Sequence, residues 1–575
     1  MEFSKLAGVF EKLEATSKRL ELTDDLAELF KATPENEIKI VAYLCAGVLL
    51  PEHHGVDLGL GDKFAERAIA LVSGKSVKEV ETDYRKTGDL GDTAERFATG
   101  RKQTSLSRAT ELSVKKVYDN FYKIATLTGT GSQDLKIKLL AELLSASDGV
   151  QAKAIIRFVT GGLRLGIGEP TILDALSVAR QGDKGLRPAL ERAFNMTSDI
   201  GLVAELFFSK GIAAIEKIEP QPFSPIRPAL AERLDSAEAI VKKLGKCAVE
   251  QKYDGLRLQC HKAGNRVEIF SRRQEPMTHM FPDLIEKIRK TRCRNAIFEG
   301  EALAVDEAGN FLPFQQTIQR KRKHGIAEKG EDLPLVLVAF ELLYLDGKDL
   351  TNEPFHKRRE LLERIAAGSG VEVSRTLVTD KEIDVQKFFE ESVTAGLEGI
   401  VAKDLNAPYT AGARKFAWIK YKRSYAGHLA DSVDAVIVGY YIGKGKRTKF
   451  GLGGVLCAVF DESERRFKTI AKVGSGFDEK ELASFFAVLE ELKTKKKPDN
   501  VDSVLEPDFW VKPKVVITIV ADEITRSPTH TAGATETRSG FALRFPRITV
   551  LREDKKPQDA TTVKEIEDLF ELQGK

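Results

Sequence analysis

Four prolines fall within the run Pro220-Gln-Pro-Phe-Ser-Pro-Ile-Arg-Pro228. No helix continues through such a stretch, because each proline lacks an N–H and fixes its own φ. The run predicts a semi-rigid linker with a domain boundary beside it. Before it, apolar residues recur at spacings of three and four, as in Leu139-Leu140-Ala-Glu-Leu143-Leu144 after a candidate cap at Ser132, which predicts an all-helical first domain. After it, strand-like runs such as 335–340 mix with helical stretches such as 383–396, predicting an α+β domain. Beyond Ser424-Tyr425, β-rich segments recur at 433–442, 455–460, 467–473 and 515–520, which suggests a small five-stranded barrel followed by a terminal helix over 562–572. A chain of 575 residues exceeds one core and divides here as 1–218, 219–425 and 426–575.

Composition excludes more than it selects. A net charge of +3 suits any soluble enzyme, so nucleic-acid binding must be argued from local patches. The five cysteines are scattered without a CxxC pair, which indicates neither a zinc module nor a disulfide framework. No apolar run is long enough to span a membrane, and Met1-Glu2-Phe3-Ser4-Lys5 begins no cleavable leader, so a cytoplasmic protein is expected.

Chemistry is concentrated at Glu250-Gln-Lys252-Tyr-Asp-Gly-Leu-Arg257. A lysine amine attacks only when deprotonated, and an ordinary pKa of about 10.4 leaves little free amine at neutral pH. Arg257 and a bound metal ion are the kind of neighbours that lower it. Asp254-Gly255 supplies a turn aiming Lys252 and Arg257 into one pocket. Residues 257–261 and 266–270 alternate around Gly264-Asn265 as a hairpin, which puts Lys252 at a strand end.

Further on come Ser271-Arg272-Arg273, Phe298-Glu-Gly-Glu301, Phe340 before Glu341, Glu398-Gly-Ile-Val-Ala-Lys403 and Trp418-Ile-Lys420-Tyr-Lys422. Arg544-Phe-Pro-Arg547 and Arg552-Glu-Asp-Lys555 lie near the C-terminus. In order and character these resemble the successive motifs of the covalent nucleotidyltransferases, and the whole set resembles the ATP-dependent DNA ligases of the archaeal and eukaryotic replicative type. The resemblance implies an all-α DNA-binding domain, an α+β adenylation domain and an OB-fold barrel. It makes Lys252 the residue that accepts AMP, with Glu250, Arg257, Arg272, Glu301, Phe340, Arg414, Lys420 and Lys422 binding the nucleotide and Glu301 and Glu398 holding metal. Phe340 would stack on adenine, although position alone favours a core phenylalanine. Arg547 and Lys555 would align the leaving group. ATP and Mg²⁺ are the implied substrate and cofactor, since the NAD-dependent ligases carry a cysteine-rich zinc module that has no counterpart here.

The resemblance implies a monomer that seals nicked double-stranded DNA in replication, repair and recombination, read through backbone and groove shape. Arg157-Phe-Val-Thr-Gly-Gly-Leu-Arg164-Leu-Gly166 resembles the DNA-binding segment of such ligases, where glycines admit phosphates closely and Arg164 would reach a minor groove. A sliding clamp is a further candidate partner, but Gln103-Thr-Ser-Leu106 lacks the paired aromatics of a clamp peptide. Glu341 stands where relatives often carry Asp. Two other classes stay open at this point: an mRNA capping enzyme or RNA ligase, which shares the lysine motif, and a non-enzymatic DNA-binding scaffold. Gly443-Lys-Gly-Lys-Arg-Thr448 lacks the first glycine of a P-loop, Arg320-Lys-Arg-Lys323 suits a basic helix end, and His53-His54 are expected at the surface.

Overall fold

The computed structural model describes the chain apart from residues 100–110, 307–308, 310, 313–333, 423–431, 444–450, 475–478, 553 and 574–575, and apart from the side chains of 479–484 and 572–573. The sequence features at Gln103–Leu106, Arg320–Lys323, Ser424-Tyr425 and most of Gly443–Thr448 therefore lie outside the described residues. The chain forms two compact units, 1–422 and 423–575.

The first unit begins with helices between Phe3–Ala15 and Ile212–Glu216. Their starts are set by local chemistry: Ser76 with Glu79 and Asp148 with Gln151 form reciprocal capping boxes that satisfy otherwise orphaned N–H groups. Ser132 is the first helical residue, and Gly131 takes the cap position. Leu6, Phe30, Val117, Phe121 and Ile155 are buried in one continuous core, where Phe121 stacks on Phe158 with ring centroids 4.7 Å apart.

The proline run is pinned on both sides. Phe223 N donates to His261 Nδ1 at 2.9 Å, Ile226 N donates to Gln259 Oε1 at 2.8 Å, and Gln259 Nε2 returns a bond to the Ile226 carbonyl at 2.9 Å. Toward the helices, Ser198 Oγ donates to the Pro225 carbonyl at 2.6 Å and Arg227 N donates to the Asn195 carbonyl at 2.8 Å. The expected spacer is thus a clamped strap, and the helical and two-sheet parts pack as one unit.

Strands follow in order: β1 (Leu230–Arg233), β2 (Cys247–Lys252), β3 (Leu256–Ala263), β4 (Arg266–Ser271), β5 (Asn295–Ala304), β6 (Leu335–Leu345), β7 (Lys348–Asp349), β8 (Glu372–Val373), β9 (Thr376–Thr379), β10 (Gly399–Asp404) and β11 (Arg414–Lys422). They form two sheets, one ordered β1-β11-β10-β2-β9 and one ordered β4-β3-β5-β6-β7 with β8 against β6. The β3–β4 hairpin forms as expected, with Gly264 at φ +57 in its turn. Tyr253-Asp254-Gly255 is the crossover from one sheet to the other.

The second unit holds β12 (Val433–Ile442), β13 (Leu452–Asp461), β14 (Arg466–Val473), β15 (Lys493–Thr494), β16 (Val501–Asp502), β17 (Phe509–Val511), β18 (Val516–Val520), β19 (Glu523–Ser527), β20 (Gly540–Arg544) and β21 (Arg547–Leu551), then the helix Val563–Gln573. Instead of five strands, the described residues form an eight-stranded sheet, with β18 joining β12 to β21, and β19 pairs with β20 separately. The excess comes largely from β15, β16 and β17, which are two or three residues long and too short to show a period in sequence. Among the described residues no helix is long and apolar enough to cross a membrane.

Candidate active site

Lys252 ends β2, and Arg257 is the second residue of β3, so the motif between them joins the two sheets. A Cβ at Gly255 would collide with the Ala302 carbonyl oxygen and the Glu301 side chain on β5, which is why glycine stands there. Pairing then brings the remaining candidates in. In the first sheet Lys252 lies opposite Gly399, and Gly399 opposite Lys422. In the second, Arg257 lies opposite Glu301. Gly399 has φ +141, and a Cβ there would strike the Tyr421 carbonyl oxygen, so β10 and β11 approach closely beside Glu398.

Glu398 Oε2 is shared by two ammonium groups, Lys252 Nζ and Lys422 Nζ, the latter at 2.7 Å. Burial pushes this carboxyl up, yet the two lysines outweigh it and hold the pKa down at about 2. Glu301 goes the other way. Desolvation drives it up to about 7 against the pull of Lys252 and Arg257, with Glu398 adding repulsion. The Lys420 amine is lowered, first by burial and then by Lys422, Arg414, Lys252 and Arg272. That last shift shows the candidate cations acting on one point, even though Arg272 and Arg414 are exposed. Such a cluster is uncomfortable alone and suits a polyanion.

Arg257 is oriented by Glu299 Oε2 at 2.9 Å and by the Ala229 carbonyl, at the end of the proline strap, at 3.0 Å. Its Nε is buried without a hydrogen-bond partner, and a small pocket beside it is lined in part by Ile226, Gln259, Arg272 and Glu299. Half-buried Phe340 packs edge-on to Trp418, ring centroids 6.2 Å apart, with the Arg257 guanidinium 5.5 Å from its ring centre. These features, a guanidinium with an unused donor, a partly open aromatic and a surplus of cations, fit a nucleotide triphosphate.

Glu250 stands apart from this cluster. It is 2% exposed, and its oxygens are taken by Arg359 Nη1 at 2.7 Å, Thr376 Oγ1 at 3.2 Å and Lys403 Nζ at 2.7 Å. Lys403 also donates to the Phe340 carbonyl at 2.8 Å, so Glu250 and Phe340 share one buried ammonium. Lys403, Arg359, Glu299 and Tyr409 were not singled out from sequence as site residues. A lysine within the apolar strand run Gly399-Ile-Val-Ala-Lys403 was the available signal for the first, because a buried ammonium requires a partner. Glu341 is committed to the fully buried Arg358 at 2.8 and 3.0 Å, so its departure from Asp concerns packing beneath β6.

Among the described residues no group of three or more His, Cys, Asp or Glu is placed to hold a metal ion. Glu301 and Glu398 do act on each other electrostatically. Two carboxylates completed by substrate phosphates fit Mg²⁺, which seldom takes an all-protein cage.

Elsewhere, Arg164 has φ +57 and bonds Asp89 at 2.7 Å and the Gly88 carbonyl at 3.2 Å, with its side chain still 27% exposed. His53 is half-buried instead of exposed, and burial lowers its pKa to about 4. In the second unit Arg547 meets Asp522 at 3.2 Å, and Lys555 meets Asp434 at 2.6 Å.

Comparison with known proteins adds independent findings. Family models match residues 2–177 as DNA ligase N terminus, 228–422 as ATP dependent DNA ligase domain and 448–555 as ATP dependent DNA ligase C terminal region. A probable DNA ligase of Dictyoglomus thermophilum is 49% identical over all of this chain and 98% of its own length. A DNA ligase of Nitrosopumilus maritimus is 41% identical over all of this chain and 99% of its own length. The solved structure Pmar-Lig_Pre aligns with TM-score 0.57 at 17% identity, covering 95% of this chain and 99% of that one, a similarity of fold.

Proposed function

The chain belongs to the ATP-dependent DNA ligase family, and from that premise we propose that it seals nicks in double-stranded DNA through an adenylate carried on Lys252. The observation that carries the assignment of Lys252 is its position on the seam between the two sheets, sharing Glu398 with Lys422 and facing a cluster of further cations.

In the first step the deprotonated Lys252 amine attacks the α-phosphorus of ATP. A P–N bond forms as the nitrogen releases a proton to solvent, the bond to the oxygen bridging the α- and β-phosphorus breaks, and pyrophosphate leaves. Phe340 stacks on adenine while Arg257, held by Glu299, turns its unused donor to the nucleotide. Lys420 and Lys422 neutralise phosphate charge, with Arg272 and Arg414 adding to the field. Glu250 supports the base side through Lys403 and the Phe340 carbonyl. Glu301 and Glu398 would hold a divalent cation, Mg²⁺ by chemistry, which when bound offsets charge on the phosphates.

In the second step an oxygen of the nick's 5′-phosphate attacks the same phosphorus, the P–N bond breaks as the nitrogen takes a proton from solvent, and Lys252 recovers its amine. In the third the 3′-hydroxyl attacks the activated 5′-phosphorus, its proton leaves to solvent, AMP departs and the phosphodiester forms. The protein supplies position and charge throughout. Residues 1–218 serve DNA binding, 219–425 adenylation and 426–575 the OB-fold role, in a cytoplasmic monomer.

The test is intact-mass and peptide analysis after incubation with ATP and Mg²⁺, followed by sealing of a nicked duplex with each nucleotide supplied separately. One AMP on Lys252 and sealing with ATP are expected. An adduct on another side chain, or none, sinks the assignment.

A further inference from the structure

A tyrosine to which no step above gives a task closes a circuit of hydrogen bonds around Arg257. Tyr409 lies between β10 and β11 and is 5% exposed. Its aromatic ring is placed without help from its hydroxyl: Tyr409 N donates to the Thr351 carbonyl at 2.7 Å, and the ring packs edge-on to Trp418, centroids 5.8 Å apart. The hydroxyl accepts from Ala229 N at 2.8 Å and meets Glu299 Oε2 at 2.9 Å. A backbone N–H only donates, so the single phenolic proton goes to Glu299. Burial, and then the charge of Glu299, hold this phenol well above its ordinary range, so the proton stays in place at any working pH.

The two residues that Tyr409 bonds are the two that hold Arg257. Arg257 Nη1 donates to the Ala229 carbonyl at 3.0 Å and Nη2 to Glu299 Oε2 at 2.9 Å. A guanidinium is planar, so fixing both terminal nitrogens fixes the direction of the third donor, the Nε–H that is buried without a partner. Glu299 Oε2 takes the Tyr409 proton and the Arg257 proton together, and the weaker contact from Gln259 Nε2, at 3.4 Å, falls on Oε1. The hydroxyl therefore sets where the shared carboxylate oxygen stands. Without it the ring packing and the Thr351 bond remain, but Glu299 and Ala229 each lose one restraint, and an arriving nucleotide must order the guanidinium itself.

We propose that Tyr409 is a positioning residue for Arg257, raising affinity for ATP through Glu299 and Ala229 without touching the nucleotide. The inference rests on the reading of Arg257 as a nucleotide ligand.

Full-length protein is first discharged with pyrophosphate. Affinity is measured by calorimetry with α,β-methylene ATP, whose carbon bridge does not break, and AMP transfer to Lys252 from saturating ATP and Mg²⁺ is timed by intact mass. Tyr409→Phe deletes only the hydroxyl. It is expected to weaken binding of the analogue roughly ten-fold while the transfer rate at saturating ATP changes less than about three-fold. In an Arg257→Ala background the same substitution should cost less than about two-fold, because the group it positions is gone. Arg257→Ala alone separates two failures. If it binds the analogue as the parent does, the reading of Arg257 is wrong and the inference falls with it. If it binds weakly and Tyr409→Phe binds as the parent does, Tyr409 alone has been misassigned. A ten-fold loss that persists in the Arg257→Ala background would make Tyr409 a packing residue, and slower transfer at unchanged affinity would tie it to the chemical step instead of to binding; either overturns the proposal.

Discussion

Two charge clusters in the first unit use the same residue types to opposite ends. Among the helices, Arg157 is 6% exposed in its side chain and bonds Asp89 at 2.7 Å, Glu14 at 2.7 Å and Asp92 at 3.1 Å. Lys153 meets Glu14, Asp92 and Glu95 at 3.1 to 3.5 Å, and Arg164 adds a second bond to Asp89. Three cations face four carboxylates, and despite burial the Arg157 guanidinium is held above its ordinary range by Glu14 and Asp89. The cluster closes on itself. Around Lys252 the six cations Lys252, Arg257, Arg272, Arg414, Lys420 and Lys422 face the three carboxylates Glu299, Glu301 and Glu398, and the Lys420 amine is lowered. A structural ion network satisfies its members, whereas a binding site keeps charge for its ligand.

The contrast predicts that substitutions in the open cluster remove chemistry and those in the closed one remove stability. Lys252→Ala is expected to eliminate AMP labelling while the melting temperature stays within about 2 °C of the parent; a large fall in stability would break the comparison. Arg157→Met should lower unfolding free energy by about 1–3 kcal/mol, read as an earlier urea transition, because it leaves the buried Asp89 with the partly exposed Arg164 as its remaining cation. Its adenylation rate at low temperature should remain that of the parent. Lys420→Ala should slow adenylation roughly 100-fold, as loss of one charge-stabilising donor does, and an unchanged rate would remove Lys420 from the phosphate cluster.

Glu301 sharpens the contrast through pH. Its folded pKa of about 7 lies above the ordinary 4.5, so its ionisation costs stability as pH rises through that interval. Glu301→Gln should therefore melt a few degrees higher at pH 8, by up to about 2 kcal/mol, and equally with the parent at pH 4. Equal melting at both values would mean that the carboxyl is not strained. The smallest effect is expected for Arg164→Ala, below about 1 kcal/mol, since this partly exposed arginine duplicates a bond that Arg157 already gives Asp89.

What the sequence conveyed follows from which features are local. The strand 433–442, the hairpin after Lys252 and the position of Lys252 at a strand end all rest on alternation within a few residues, and each formed as expected. The crossover role of Tyr253-Asp254-Gly255 depends on β2 pairing with β10 and β3 with β5, partners far away in the chain. Nor does a proline run announce that Gln259, His261 and Tyr409 will hold it. Motif resemblance brought Glu250 to notice, but its burial under Arg359 and Lys403 needed the fold.

The strap has a mechanical consequence. A chain of prolines held at either end acts as a beam, and this one ends where the Ala229 carbonyl accepts Arg257 and Ala229 N donates to Tyr409, itself bonded to Glu299. The helical part and the Arg257 guanidinium are therefore joined through a short run of fixed bonds with no slack joint between them.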